Sequence, residues 1–116
     1  MATLLGEAWA CRHQDVLRCE SLLNQAWRQS QAAADERGQA YALLRLALCG
    51  YMRREDANLL HHRLQMALNL MRRLGDLAGE AEALNLAANV RGTQGDGEAA
   101  LALHRQALGL RKRMGS

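Results

Sequence analysis

The sequence lacks proline, phenylalanine and isoleucine, and Val16 and Val90 are its only valines. Its four aromatic residues are Trp9, Trp27, Tyr41 and Tyr51. Because β-branched and aromatic side chains are the ones that favour strands, this composition excludes a substantial sheet. Hydrophobic residues still make up 49% of the chain, so leucine, alanine and methionine must form the core on closely packed helices. Without proline, glycine and aspartate caps must separate those helices.

The chain also lacks the usual marks of export and of membrane insertion. Cys11, Cys19 and Cys49 are an odd set without CxxC spacing, which predicts reduced thiols in a cytoplasmic protein. The first residues, MATLLGEAWAC, have no basic start and are interrupted by Glu7, so we expect no signal peptide. No apolar run approaches the roughly 18–20 residues of a transmembrane helix, so we expect no membrane partner.

The charge pattern argues against a nucleic-acid partner. The formal net charge is +3, and basic residues are scattered among acidic ones rather than aligned along one face. That pattern favours a solvated helical surface. The densest basic run, at 111–113, falls in the last turn of a predicted helix, where cations complement the helix dipole. Nucleic-acid binding through the arginines is therefore the weakest of the functional alternatives.

Apolar residues recur with helical periodicity along the whole chain and predict six helices in three hairpins. We expect helices over 2–12, 16–34, 39–52, 57–74, from 78 to the turn at 94–96, and from that turn to about 114. The helix over 57–74 is apolar on two sides, because leucine and methionine recur there at spacings of three and four. It is therefore expected to lie between two neighbouring helices.

The hairpins are copies of one another. The turn acid and the second-helix alanine both recur at separations of 41 and 40, at Asp15, Asp56 and Asp96 and at Ala26, Ala67 and Ala107. The phrase GQAYALLRLA at 38–47 returns as GEAEALNLAA at 79–88. One helical hairpin cannot bury its apolar face alone, so such a unit requires neighbouring copies. We predict a single domain over 1–116 with repeat units at about 2–35, 36–75 and 76–114.

These residues resemble the tetratricopeptide repeat. The third copy has Leu84, Ala88, Gly95-Asp96, Ala100 and Ala107 in the family's order and spacing. Two departures are a period near 40 instead of 34 and the missing proline at the end of each repeat. Both are similar to the long-repeat variety found in kinesin light chains and in many bacterial signalling proteins. The resemblance implies an all-α, right-handed superhelix of three antiparallel helix hairpins.

The resemblance also implies that the first helices line a concave groove that binds a peptide or a partner domain. The expected groove residues lie on the side of each first helix that the leucine–alanine stripe leaves free: Trp9, Arg12, Tyr41, Arg45, Leu48, Met52, Asn85 and Asn89. Amide, aromatic and cationic groups of this kind suit a peptide main chain and a carboxylate. Asn89 resembles the asparagine that carboxylate-binding members use, although their full clamp is missing. Trp9 has a second interpretation, as a cap on the first hairpin.

No motif in the sequence predicts catalysis, a metal or a cofactor. His61 and His62 are adjacent on a helix, about 100° apart, so both cannot face one metal ion. The glycines of GTQGDG at 92–97 lack the Lys-Ser/Thr of a phosphate-binding loop and fall in a helix turn. Cys11 and His13 occur close together, but the sequence beside them shows neither a base with an orienting group nor an oxyanion-donor loop. We expect a non-catalytic protein that needs no cofactor.

The last predicted helix keeps four leucines, whereas helical repeat arrays normally finish with a polar-faced capping helix. These leucines are Leu101, Leu103, Leu108 and Leu110. Either the chain is a piece of a longer protein, or two copies cover each other's ends as a homodimer. The first hypothesis for function is a protein-interaction module within a larger bacterial signalling or regulatory protein. The alternative is a self-association module that uses the uncapped C-terminal helix.

Overall fold

A computed structural model describes residues 16–115, and all regular secondary structure within this range is helical. The five helices are α1 (Val16–Ala32), α2 (Glu36–Met52), α3 (Ala57–Leu74), α4 (Leu77–Thr93) and α5 (Gly97–Arg113). The all-α class predicted from the composition is therefore confirmed for these residues. The predicted helix over 2–12 lies outside them.

An aspartate begins each of the last four helices. The side chains of Asp35, Asp56, Asp76 and Asp96 each accept a hydrogen bond from a backbone N–H in the first turn of the following helix. Such caps satisfy N–H groups that have no partner within the helix. The predicted turn acids at 56 and 96 are thus confirmed as N-caps, while Asp15 lies outside the described residues. The cap at Asp35 also explains why α2 begins at Glu36, earlier than the expected Gln39.

Each of the four turns between the described helices contains one residue in the left-handed conformation. Gly75 and Gly95 have φ values of 68° and 79°, and the matching positions Ala34 and Arg54 have 54° and 59°. The left-handed region costs an L-residue with a side chain roughly 1–2 kcal/mol, and glycine pays no such penalty. The turns at 34 and 54 are therefore strained relative to the other two.

Replacing Arg54 by glycine is expected to stabilise the protein by about 0.5–1 kcal/mol, because it removes this strain at the cost of some chain entropy. Urea unfolding measures the change as a higher midpoint with an unchanged slope. Gly95→Ala is the reciprocal variant and should destabilise by about 1 kcal/mol. A loss of stability in the Arg54→Gly protein would contradict the proposed strain.

Consecutive helices pack against each other along the described chain, and α2 also touches α4. The turns between them contain two to four residues, which makes neighbouring helices antiparallel. As predicted, α3 lies between two neighbours, α2 and α4. The main core contains Leu43, Leu64, Met71 and Leu84, all at most 4% exposed.

Small side chains occupy the closest helix contacts. Ala26, Ala67 and Ala107, the recurring second-helix alanines, are at most 1% exposed. Ala88 in α4 is fully buried, whereas Ala100, another small residue of the third copy, is only half-buried. It lies in the second turn of α5, a helix that packs against α4 alone within the described chain.

A smaller cluster joins α1 to α2. It consists of Cys19, Leu23, Leu46 and Cys49, and both cysteines in it are buried and form no disulfide. Among the helices of residues 16–115, none is both long and apolar enough to cross a membrane. The division into three repeats stays a prediction, because the first helix of the first unit lies outside this range.

Candidate functional site

A cleft of about 210 Å³ lies between α2 and α4, and we call it the asparagine cleft. Its lining residues are Leu44, Arg45, Leu48, Glu82, Asn85, Leu86, Asn89 and Arg111. The internal repeat accounts for these lining residues. The phrase at 38–47 in α2 returns at 79–88 in α4, with an offset of 41 residues. Equivalent faces of two repeats therefore meet in the cleft. Leu44 and Leu48 stand where the next copy has Asn85 and Asn89.

The buried alanines of α2 and α4 determine which faces remain for the cleft. Ala40, Ala42, Ala47, Ala81, Ala83 and Ala88 are all fully buried. Because side chains three and four positions apart share one face of a helix, positions 41, 44, 45 and 48 of α2 form a separate stripe. Leu44 is 2% exposed and Leu48 is half-buried, so this stripe contributes an apolar floor.

Arg45 and Glu82 link the two helices across the cleft. The Arg45 Nη1 donates to Glu82 Oε2 at 2.6 Å, and the side chain of Arg45 is only 17% exposed. Its guanidinium carbon also lies 5.5 Å from the centroid of the Tyr41 ring, a cation–π distance. A partly exposed pair of this kind contributes little to stability. Its main consequence is to hold a guanidinium in a defined position at the edge of the cleft.

The two asparagines differ in how firmly they are held. Asn85 is half-buried, and its Oδ1 accepts a hydrogen bond from His104 Nδ1 of α5 at 3.0 Å. Asn89 is exposed, and within residues 16–115 its amide makes no side-chain hydrogen bond. His104 is exposed, and this hydrogen bond orients Asn85. His104 therefore positions the amide of Asn85, whereas the amide of Asn89 can both donate and accept hydrogen bonds.

Tyr41 has a structural task that the sequence did not reveal. Its hydroxyl donates to Asp76 Oδ2 at 2.7 Å, and the same carboxylate accepts from Arg37 Nη1 at 2.8 Å. Asp76 is also the N-cap of α4 through the N–H of Gly79, at 2.9 Å. Tyr41 thus fixes the start of α4 relative to α2, and it is not part of the cleft lining.

These contacts shift the pKa values of Tyr41 and Asp76. Burial, together with the hydrogen bond to Asp76 and the charges of Asp76 and Glu82, raises the pKa of Tyr41 to about 12. Burial alone would raise the pKa of Asp76, but hydrogen bonds from Gly79, Tyr41 and Arg37 and the charge of Arg37 outweigh it and lower that pKa. The contact therefore joins a neutral phenol to an ionised carboxylate over the neutral pH range.

The phenol of Tyr41 is expected to titrate with a pKa near 12 in the folded protein. Ultraviolet difference spectra of a Tyr51→Phe variant would follow Tyr41 alone, and adding Asp76→Asn should move its midpoint toward the usual value of about 10. Because the folded-state pKa is the higher one, the stabilisation is complete below pH 10 and is lost as the pH rises toward 12. A midpoint near 10 with Asp76 intact would contradict the contact.

The structure brings together four of the eight residues predicted for the groove: Arg45, Leu48, Asn85 and Asn89. Tyr41 lies beside them but is bonded to Asp76. Met52 is 39% exposed at the end of α2, away from the cleft lining. Trp9 and Arg12 lie outside the described residues. Whether these side chains bind a partner stays a prediction.

Besides four residues of the predicted set, the cleft is lined by Leu44, Glu82, Leu86 and Arg111. Leu86 occupies the position equivalent to Arg45 in the 41-residue offset, so a strict alignment of the two phrases would have identified it. Arg111 lies in the last turn of α5, which is the second helix of the predicted third repeat unit. Nothing in the sequence pattern indicated that its long side chain reaches the face of the first helices.

A second cleft, of about 390 Å³, lies near the C-terminal ends of α2 and α4, and we call it the terminal cleft. It is lined by Tyr51, Arg54, Glu55, Ala57, Leu60, Val90 and Thr93. Several of its polar groups are already used within the protein. Glu55 pairs with Arg63 at 3.2 Å, and the Thr93 hydroxyl donates to the Val90 carbonyl at 2.6 Å. The asparagine cleft is smaller, but it is lined by five polar side chains compared with four in the terminal cleft.

The asparagine cleft combines apolar, amide and guanidinium groups. Within residues 16–115, no group of three or more histidine, cysteine, aspartate or glutamate side chains could hold a metal ion. His61 is bonded through Nε2 to Gln94 Oε1 at 2.9 Å, so it serves the contact between α3 and the end of α4. An apolar floor with amide and guanidinium groups at its edge can hold an apolar side chain and bond the main chain beside it.

Comparisons of this chain with protein-family models, with curated proteins and with solved structures find no match. Fold and cleft together define an all-α chain of sequentially packed helices with a polar-edged groove between two equivalent helices. A more specific assignment has to be argued from the cleft and from the internal repeat.

Proposed function

We propose that this chain is a non-catalytic interaction module that binds a segment of another protein in the asparagine cleft. The observation that supports this most is the meeting of two equivalent helix faces with complementary chemistry. Leu44 and Leu48 of α2 provide an apolar floor, and Asn85 and Asn89 of α4 provide amides at its edge. The terminal cleft has no side-chain amide in its lining.

The size of the cleft indicates the kind of ligand. Pockets for whole small molecules enclose roughly 300–1,000 Å³, whereas this one encloses about 210 Å³. It has room for one or two side chains of a longer segment that continues over the surface. The amides of Asn85 and Asn89 would bond the main chain of that segment, and the guanidiniums of Arg45 and Arg111 would pair with a carboxylate in it.

The internal repeat supports a tetratricopeptide-like architecture for the module, with a right-handed superhelix and the groove on its first helices. Asp56 and Asp96 cap equivalent helices, and Ala67 and Ala107 are buried at equivalent contacts. The same resemblance supports a place within a larger bacterial signalling or regulatory protein. In such an assembly the module would locate a partner, and catalysis would belong to another part of the complex.

A random peptide library displayed on phage is the probe that tests this proposal. Peptides selected on the full chain should bind an Arg45→Ala, Asn89→Ala variant about tenfold more weakly, because central polar contacts in an interface commonly have effects of this size. Fluorescence anisotropy of labelled peptides gives the affinities.

The matched control for this experiment is Arg28→Ala with Asn69→Ala. It removes the same two residue types from exposed positions on α1 and α3, away from the cleft. The control should bind the selected peptides like the wild type. Equal affinities for both double variants would refute the cleft as the binding site.

A further inference from the structure

The outer face of α5 is apolar and open. Leu101 and Leu108 are 51% and 53% exposed, and their spacing of seven residues places them on the same side of the helix, two turns apart. Arg105 lies between them on the same stripe, and Lys112 continues it. Within residues 16–115 this face contacts no other helix, because α5 packs only against α4.

The internal repeat shows what covers the equivalent face elsewhere in the molecule. With the offset of 40 between Ala67 and Ala107, Leu68 of α3 corresponds to Leu108 of α5. Leu68 is only 6% exposed, compared with 53% for Leu108. The difference is that α3 has α4 packed on its far side and α5 has no such neighbour in the described chain.

The contacts between α3 and α4 define how the covering helix lies. His61, equivalent to Leu101, bonds to Gln94 at the end of α4, at 2.9 Å. Arg72, equivalent to Lys112, pairs with Glu80 in the first turn of α4, at 3.0 Å. The start of α3 thus meets the end of α4, so the two helices are antiparallel. Gly79 completes the contact, because a side chain there would collide with Met71.

We propose that the outer face of α5 binds an antiparallel helix that carries an apolar stripe and an acidic residue in its first turn. Leu101 and Leu108 would pack against the apolar stripe of that helix, and Lys112 would pair with its acid as Arg72 pairs with Glu80. The charge of α5 fits this partner. Its only acidic residue is Glu98, and its basic residues are Arg105, Arg111, Lys112 and Arg113.

An acidic helix fits this face better than a second copy of α5 does. In an antiparallel pair of two α5 helices, Leu101 of each would lie opposite Leu108 of the other. Arg105 of both copies would then meet near the two-fold axis, and like charges in contact oppose association. A helix of the α4 type brings no arginine to that position, since its equivalent side offers alanine and leucine.

A peptide with the sequence of residues 76–94, which contains α4 and its cap, is a suitable probe for the 116-residue chain. We expect it to bind the wild type and to bind Leu108→Asp about tenfold or more weakly. Leu17→Asp is the matched control, since Leu17 is an exposed leucine on α1, 66% accessible. Labelled peptide and fluorescence anisotropy give both affinities.

A charge reversal distinguishes binding of the peptide to the outer face of α5 from replacement of α4 by the peptide. Lys112→Glu should weaken the wild-type peptide about threefold, as expected for one exposed ion pair, and a Glu80→Lys peptide should recover the loss on that variant only. The Arg45→Ala, Asn89→Ala variant should bind the helical peptide normally, so this result is independent of the cleft.

Two outcomes would overturn the proposal. One is equal binding of the peptide to the Leu108→Asp and Leu17→Asp chains. The other is self-association of the wild-type chain in sedimentation velocity that Leu108→Asp abolishes and excess peptide does not disturb, which would assign the face to a second copy.

Discussion

Replacing Leu64 by alanine is expected to lower the free energy of unfolding by about 3–4 kcal/mol, the middle of the range for buried leucines. Leu64 is 1% exposed and belongs to the core cluster of α3, the helix that contacts both α2 and α4. A cavity at this position therefore weakens two helix contacts at once. For a chain of this length the melting temperature should fall by roughly 10–20 °C.

Leu59→Ala is the control for this variant. Leu59 lies on the same helix and undergoes the same chemical change, but it is 41% exposed. Its loss should cost less than about 1 kcal/mol, since half of the side chain is already in water. Urea unfolding followed by circular dichroism measures both variants. Similar losses for the two leucines would show that α3 is not the central helix described here.

Ala67→Leu is expected to destabilise the protein by about 2–3 kcal/mol through overpacking. Ala67 is fully buried in α3, and its equivalents Ala26 and Ala107 are at most 1% exposed. A larger side chain would push neighbouring helices apart, because a well-packed core contains no empty space for three additional carbons. The intrinsic helix preference hardly changes, since leucine is almost as good a helix former as alanine.

Ala102→Leu provides the comparison, because Ala102 is exposed on α5. This substitution adds the same atoms without forcing any helix to move, and its effect on stability should stay within about 0.5 kcal/mol. If Ala67→Leu were as well tolerated as Ala102→Leu, the recurring alanines would not mark close helix contacts.

The helix boundaries were largely predictable from local chemistry. The expected helix over 57–74 coincides with α3, because Asp56 caps its start and the left-handed Gly75 ends it. The expected start of α2 at Gln39 was three residues too late, because Asp35 caps a helix that begins at Glu36. Arg54 gave no sign that it would adopt the left-handed conformation, since the sequence there lacks glycine.

The cleft was predictable in part. The helical period and the repeat located Arg45, Leu48, Asn85 and Asn89 on faces that the alanine stripe leaves free. Tyr41 belongs to the same stripe, but its hydroxyl reaches Asp76, which is distant in sequence. Periodicity defines the direction of a side chain around its helix axis, whereas a specific bond to the next repeat depends on how two helices are placed. For the same reason Arg111 and His104 could not be assigned to this region in advance.

The leucines of the last predicted helix also indicated the exposed outer face of α5. The structure separates them by environment. Leu110 is 8% exposed and Leu103 is half-buried, whereas Leu101 and Leu108 are about half exposed. The sequence pattern gave all four the same status, because it cannot show on which side α4 lies.

Chemical-shift mapping with a peptide selected from the displayed library tests the central claim most directly. Titration of the isotope-labelled chain should shift the side-chain amide resonances of Asn85 and Asn89 and the methyl resonances of Leu44 and Leu48. In the Arg45→Ala, Asn89→Ala variant the resonances that remain, those of Asn85, Leu44 and Leu48, should shift much less at equal peptide concentration. Shifts confined to the terminal cleft or to the outer face of α5 would contradict the asparagine cleft as the site where this protein binds its partner.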